Sequence, residues 1–273
     1  MLPMFSPGDD PGPDFAELVR RLDVGPAPMA IDPSQIAGGA RGGSHPLIAH
    51  GTTCVAVRYA DGVVMAGDRR ATSGNWISHR SIEKVFPADR HSGVAIAGAA
   101  GPAVEMVRLF QLQLEHYEKV EGAQLSLEGK ANQLSQMVRN NLPAAMSGMV
   151  VVPIFAGFDT ARGVGRLFQY DITGGRYEEA DFAATGSGQM HASTVVKLGY
   201  REGLGRDETV DLTLRALWEA ADEDSATGGP DLIRGIFPIV ATITGSGFDR
   251  IDDDELADRT RVLLTAIEGT ELS

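Results

Sequence analysis

The sequence has almost no cysteine, no excess of basic charge and no long apolar run, and each lack excludes something. Cys54 is the single cysteine in 273 residues, so no disulfide can form within the chain, which fits a reducing compartment. Lysine and arginine total 24 against 37 aspartates and glutamates, a formal net charge of −13. That balance opposes a nucleic-acid partner held through phosphate contacts. No stretch approaches the roughly 18 apolar residues of a membrane helix. The start, Met1 to Pro7, lacks the basic and apolar regions of a secretory signal. A soluble cytoplasmic protein is the expectation. The six histidines, His45, His50, His79, His91, His116 and His191, show no metal-ligand spacing, so no metal is assigned, and no cofactor is expected. Gly186-Ser187-Gly188 is not followed by Gly-Lys-Ser/Thr and reads as a turn, not a phosphate loop. There is no internal repeat.

What is present divides at residue 51. Residues 1–51 hold 8 of the 14 prolines and 8 of the 33 glycines, and such a segment buries little and reads as flexible. Asp14 through Leu22 is an island within it. Asp14 with Glu17 resembles a capping pair, and Phe15, Leu18, Val19 and Leu22 share one helical face. Two readings stand for 14–22: a short docking helix, or part of the flexible tail.

From Gly51 the patterning is that of a packed domain, 52–273. Thr52 to Tyr59 and Gly62 to Asp68 are β-rich and joined by Ala60-Asp61, which predicts a hairpin; Gly93 to Gly98 is a third strand. Gly101-Pro102 opens a long helix whose buried stripe is Ala103, Met106, Val107, Phe110, Leu114 and Tyr117. A second helix spans about Leu127 to Leu142. Strands return at Val150 to Phe158, Gly165 to Ile172 and Arg176 to Ala184, with a turn at Asp171–Gly175. Helices follow at Gly188 to Leu198 and Asp207 to Asp222, then a strand pair within Ile236 to Ile251 and a final helix. Helices clustered between groups of hairpin-connected strands predict an α+β fold of antiparallel sheets with helices on the outer faces.

A threonine at a strand start, Gly51-Thr52-Thr53, means little alone. The set that follows it raises its weight: Asp68 in Ala66-Gly67-Asp68-Arg69-Arg70, Lys84 in Ser81-Ile82-Glu83-Lys84-Val85, Gly98 at a strand end, Ser187 in Thr185-Gly186-Ser187-Gly188, and Asp222 and Ser225 in the run Ala221 to Gly229. Over residues 52–268 this pattern resembles proteasome β subunits of the N-terminal-nucleophile hydrolase family. Gly67-Asp68-Arg69-Arg70, Leu114 to Lys119 and Asp224 to Asp231 are similar to the actinobacterial type.

The resemblance implies a four-layer αββα sandwich of two antiparallel sheets. It implies a precursor whose propeptide, residues 1–51, is removed at Gly51–Thr52 by the chain's own chemistry. It gives Thr52 as nucleophile, Asp68 and Lys84 as its electrostatic partners, Gly98 as oxyanion donor, and Ser187, Asp222 and Ser225 as the supporting network. Ala71, Ile96 and Ala100 are implied to line the pocket for the residue before the cut, with the substrate strand pairing along Thr72, Gly98 and Ala100. The implied partners are a homo-heptameric β ring stacked on a second β ring, rings of an α subunit, a ring ATPase activator, and protein substrates tagged with a ubiquitin-like modifier. The helices carrying Met106–Tyr117 and Leu127–Leu142 are expected to pack between rings.

The chemistry of those roles is also independent of the family. A threonine hydroxyl is a weak nucleophile that needs a base. A free α-amino group titrates near about 8 and a lysine ammonium near about 10.4; the amine freed by cleavage at Thr52 can therefore be a neutral base, and an amide cannot. A charged Lys84 beside it favours deprotonation of both amine and hydroxyl, and Asp68 supplies the counter-charge. Which nitrogen takes the hydroxyl proton, that of Thr52 or of Lys84, is open. Other readings are a non-catalytic ring subunit, which would lack part of the Thr/Asp/Lys set, the simpler two-ring bacterial threonine protease, which carries Gly-Asp-Gly where this chain has Gly67-Asp68-Arg69, and a small-molecule amidase.

Overall fold

The structure, a computed structural model, describes residues 51–271. The expected helix at 14–22 lies outside the described residues. Strands β1 (Thr53–Tyr59) and β2 (Gly62–Gly67) form the predicted hairpin. Strands β3 (Ala71–Ser73), β4 (Trp76–His79), β5 (Val85–Asp89) and β6 (Ser92–Gly98) follow. Helices α1 (Ala100–Glu121), α2 (Leu127–Asn140) and the short α3 (Leu142–Met146) come next, then β7 (Val151–Asp159), β8 (Val164–Tyr170), β9 (Arg176–Glu179) and β10 (Phe182–Gly186). The chain closes with α4 (Gln189–Gly199), α5 (Arg206–Glu223), β11 (Ile239–Thr244), β12 (Gly247–Arg250) and α6 (Asp253–Glu271).

Ten strands make two five-stranded antiparallel sheets, β10-β1-β2-β11-β12 and β5-β6-β7-β8-β9, and β3-β4 is a separate ribbon. Alternation along each strand divides the core into three layers. On β1, Cys54 and Ala56 face the second sheet, where they meet Ala95, Ile154, Ala156 and Leu167. Val55, Val57 and Tyr59 face the other way, onto Val210, Leu214 and Leu217 of α5 and Ala192 and Val196 of α4. The outer face of the second sheet packs on α1 and α2 through Phe110, Leu134, Phe155 and Phe168. The fold is the four-layer αββα sandwich.

Local chemistry explains the helix bounds. Ser126 accepts the Gly129 N–H at 3.1 Å and starts α2. Gly122, in the left-handed region, ends α1 by returning its N–H to Glu118.

The structure corrects the sequence reading in three places. The single strand expected over 176–184 is two, because the chain crosses at Ala180-Asp181 from the edge of one sheet (β9) to the edge of the other (β10). Strands β3, β4 and β5 were not expected. Met106, Phe110, Leu114, Leu127, Leu134 and Val138 of α1 and α2 pack on the second sheet as expected, but Tyr117, expected in the buried stripe, lies past its end and is exposed.

Candidate active site

Thr52 immediately precedes β1, buried at the end of the cleft between the sheets. Asp68 immediately follows β2, fully buried, because the β1–β2 register sets Gly67 beside Cys54. Lys84, also buried, immediately precedes β5, and the Ile96 N–H of β6 bonds its carbonyl at 2.9 Å. Strand ends thus bring together three residues that lie far apart in sequence.

The Lys84 ammonium donates to Asp68 Oδ1 at 2.6 Å and to the Arg70 carbonyl at 2.5 Å, and reaches the Gly51 carbonyl oxygen at 3.4 Å. The Thr52 hydroxyl donates to that same Gly51 oxygen at 2.7 Å. Asp68 is satisfied on every side by the N–H groups of Thr53 (2.8 Å), Arg70 (2.8 Å) and Gly228 (2.9 Å). A buried ion pair needs such extra donors to offset its desolvation. The Gly51–Thr52 peptide is therefore held between a hydroxyl and an ammonium that both address its carbonyl oxygen. Only glycine fits at position 51, since a Cβ there would lie 1.8 Å from the Ala226 Cβ.

On the opposite side, Ser187 receives the Thr52 N–H at 3.3 Å, and its own N–H bonds the Thr52 carbonyl at 2.8 Å. The carboxylate beyond Ser187 belongs to Asp224, which accepts the Ser187 hydroxyl at 2.5 Å and the Thr227 hydroxyl at 2.6 Å. This corrects the sequence reading. Asp222 and Ser225 are exposed; Asp222 lines a separate cavity with Arg69, Arg70 and Trp218, and Ser225 contributes a carbonyl to Arg70. The reason is the end of α5 at Glu223. Asp222 is still helical and turned outward, whereas Asp224 is extended (φ −113°, ψ 105°) and directed at Ser187. Partial burial acts to raise the Asp224 carboxyl, but the Ser187 and Thr227 hydroxyls, the Ala226 N–H and nearby His191 outweigh it and hold it below the usual carboxylate range.

Gly98 ends β6 at φ +114°, where a Cβ would meet the Val150 carbonyl oxygen at 2.0 Å. A glycine is obligatory there. Gly98 lines a small cavity of about 20 Å³ at Thr52 together with Ala71, Ile96 and Ala100, three residues expected from the sequence, and with Ile82, Ala103 and Val104, which were not. Thr72 is buried beside it, its hydroxyl accepting the Gly51 N–H at 3.2 Å. Cys54 points into the core between the sheets, and burial pushes its thiol up to about 12, so it is a packing residue. Among the described residues no group of histidine, cysteine and carboxylate side chains could hold a metal, and no helix is long and apolar enough to cross a membrane.

Two antiparallel sheets sandwiched by helices, with a threonine, an ammonium and a carboxylate at the end of their cleft, define the N-terminal-nucleophile hydrolase fold. The family described as proteasome subunit matches residues 48–233. A proteasome subunit beta of Acidimicrobium ferrooxidans is 60% identical over 257 residues, 94% of this chain and 91% of that one. Proteasome subunit beta of Streptomyces griseus is 60% identical over 79% of this chain and 76% of its own, and that of Jonesia denitrificans 56% identical over 76% and 69%. The chain belongs to the proteasome subunit family, as a β-type subunit of the proteasome core particle and a proteasome peptidase.

Proposed function

We propose that the chain is a threonine endopeptidase, made as a precursor whose Thr52 becomes both N-terminus and nucleophile. The observation that carries this is the Gly51 carbonyl oxygen, shared by the Thr52 hydroxyl at 2.7 Å and the Lys84 ammonium at 3.4 Å. In self-cleavage the Thr52 Oγ bonds to the Gly51 carbonyl carbon, the C–N bond breaks and the hydroxyl proton ends on the Thr52 nitrogen. The product is an ester and a new amine. Water then hydrolyses the ester, restoring the hydroxyl and releasing residues 1–51 with a Gly51 carboxylate.

The same steps act on a substrate peptide. The free amine is a base that an amide nitrogen is not. Lys84, held by Asp68, stabilises developing negative charge on the hydroxyl oxygen, and the Gly98 N–H donates to the oxyanion, a type of interaction worth about 3–4 kcal/mol in other hydrolases. The apolar cavity of Ala71, Ile96, Ala100 and Val104 favours apolar side chains before the cut.

The family supplies the rest of the reading. Seven such subunits form a ring, two rings stack, α-subunit rings cover them, and a ring ATPase in the cytoplasm feeds in proteins tagged with a ubiquitin-like modifier. The test is Thr52→Ala in the assembled particle. The expected result is an intact mass that retains residues 1–51 and no peptide hydrolysis. Normal cleavage at residue 51, or activity without the hydroxyl, would sink the reading.

A further inference from the structure

Adjacent side chains on a strand point to opposite faces. Thr52 addresses the cleft, and Thr53 points the other way, fully buried toward the loop after α5. The Thr53 hydroxyl oxygen lies 2.6 Å from Thr227 Oγ1 and accepts the Gly188 N–H at 3.0 Å. Each hydroxyl has a single proton to give, which sets the directions along the chain. Thr227 gives its proton to Asp224 Oδ2 at 2.6 Å, so between the two threonines Thr53 is the donor. Ser187 has two acceptors in reach, that same Oδ2 at 2.5 Å and the Thr52 carbonyl oxygen at 3.3 Å; the shorter bond to the charged carboxylate takes its proton, so toward the Thr52 nitrogen, 3.3 Å away, it presents a lone pair. The chain of bonds runs one way, from the Gly188 N–H through Thr53 and Thr227 to Asp224.

We propose that Thr53 is a positioning residue for the reaction: its hydroxyl ties the Ser187–Gly188 turn to Asp224 and keeps Ser187 an acceptor facing the Thr52 nitrogen. Without that hydroxyl the Gly188 N–H loses its acceptor inside the protein, where an unmet donor is costly. The turn shifts to find another, and Ser187 moves with it. Held in place, Ser187 takes one N–H of the freed amine and leaves the nitrogen's lone pair for the Thr52 hydroxyl. Thr53 also joins the two sides of the site, because its backbone N–H donates to Asp68 Oδ1, the oxygen that holds Lys84. This inference rests on the threonine-nucleophile reading.

The test uses the assembled particle, with processing checked by mass so that rates refer to cleaved sites. Thr53→Val keeps the shape and removes the hydroxyl, and should lower kcat by about tenfold with KM within about twofold. Thr53→Ser, which restores the hydroxyl, should keep kcat within about twofold of the parent. Thr227→Val attacks the same chain from its other end and should also lower kcat, which keeps the inference testable if Thr53→Val does not assemble. The double variant should lose no more than the worse single, as links of one chain do. Parental kcat in Thr53→Val, equal loss in the Ser and Val variants, or losses that add would each overturn the inference. Thr52→Ala run alongside separates the two levels: activity there sinks the nucleophile itself, whereas an unaffected Thr53→Val sinks only the role of Thr53.

Discussion

Two buried lysine–aspartate pairs sit in this molecule with nearly the same geometry and different employment. Lys84–Asp68 closes at 2.6 Å with side chains 5% and 0% exposed; Lys130–Asp89 closes at 2.5 Å with 5% and 13%. Lys130 lies on α2, and Asp89 ends β5, where it also takes the His91 N–H and the Ser92 hydroxyl. That pair pins a helix to the turn of a hairpin. The Lys84 ammonium has further acceptors, the Arg70 and Gly51 carbonyls, and the second belongs to the bond that the Thr52 hydroxyl addresses. Burial and charge pairing alone therefore do not mark a site. The further partner does.

The sharpest break of the comparison is the same substitution at both lysines. Lys84→Met should lower peptide hydrolysis by about a thousandfold or more and leave the leader attached, because the charge facing the reacting oxygens is gone. Asp68 keeps three backbone donors, so the chain should still fold. Lys130→Met strands the Asp89 carboxylate and should cost about 3 kcal/mol in urea unfolding, with kcat within about twofold of the parent. Activity lost at Lys130 with folding intact would erase the distinction.

Gly98→Ala comes next. It puts a side chain at φ +114° and against the Val150 carbonyl, and a displaced oxyanion donor should cost about a hundredfold in kcat. A parental rate would remove Gly98 from the mechanism.

The smallest effect belongs to the Ser187 side. The folded Asp224 carboxyl lies below its unfolded value of about 4. A depressed carboxylate stabilises the fold above the unfolded value and loses that contribution as pH falls through the lower, folded one. Stability measured from about pH 6 to pH 3 should fall on the acid side, and Asp224→Asn should flatten part of that fall. An unchanged slope would mean the network does not hold Asp224.

How much of this was legible follows from local rules. Thr52, Asp68 and Lys84 sit at strand ends, and strong β patterning around the first two made their placement readable. The Ser187 partners were misread by two positions because Asp-x-x-Ser at 222–225 overlaps Asp-x-x-Thr at 224–227. Choosing between them requires the last residue of α5, and helix ends are the least determined feature of a sequence. Strands β3 and β4 escaped because they are only three and four residues long with no alternation, β3 mostly buried and β4 exposed throughout, Trp76 81% exposed. Lys130 carried a signal that went unread. It falls between Leu127 and Leu134 at the spacing of the buried face, where a lysine needs a counter-charge.

The central claim is most directly tested by the N-terminal residue of the purified, assembled subunit. Sequencing or intact mass should find a chain that begins at Thr52, with a free amine beside its own hydroxyl. An active enzyme that begins at any other residue would contradict the account.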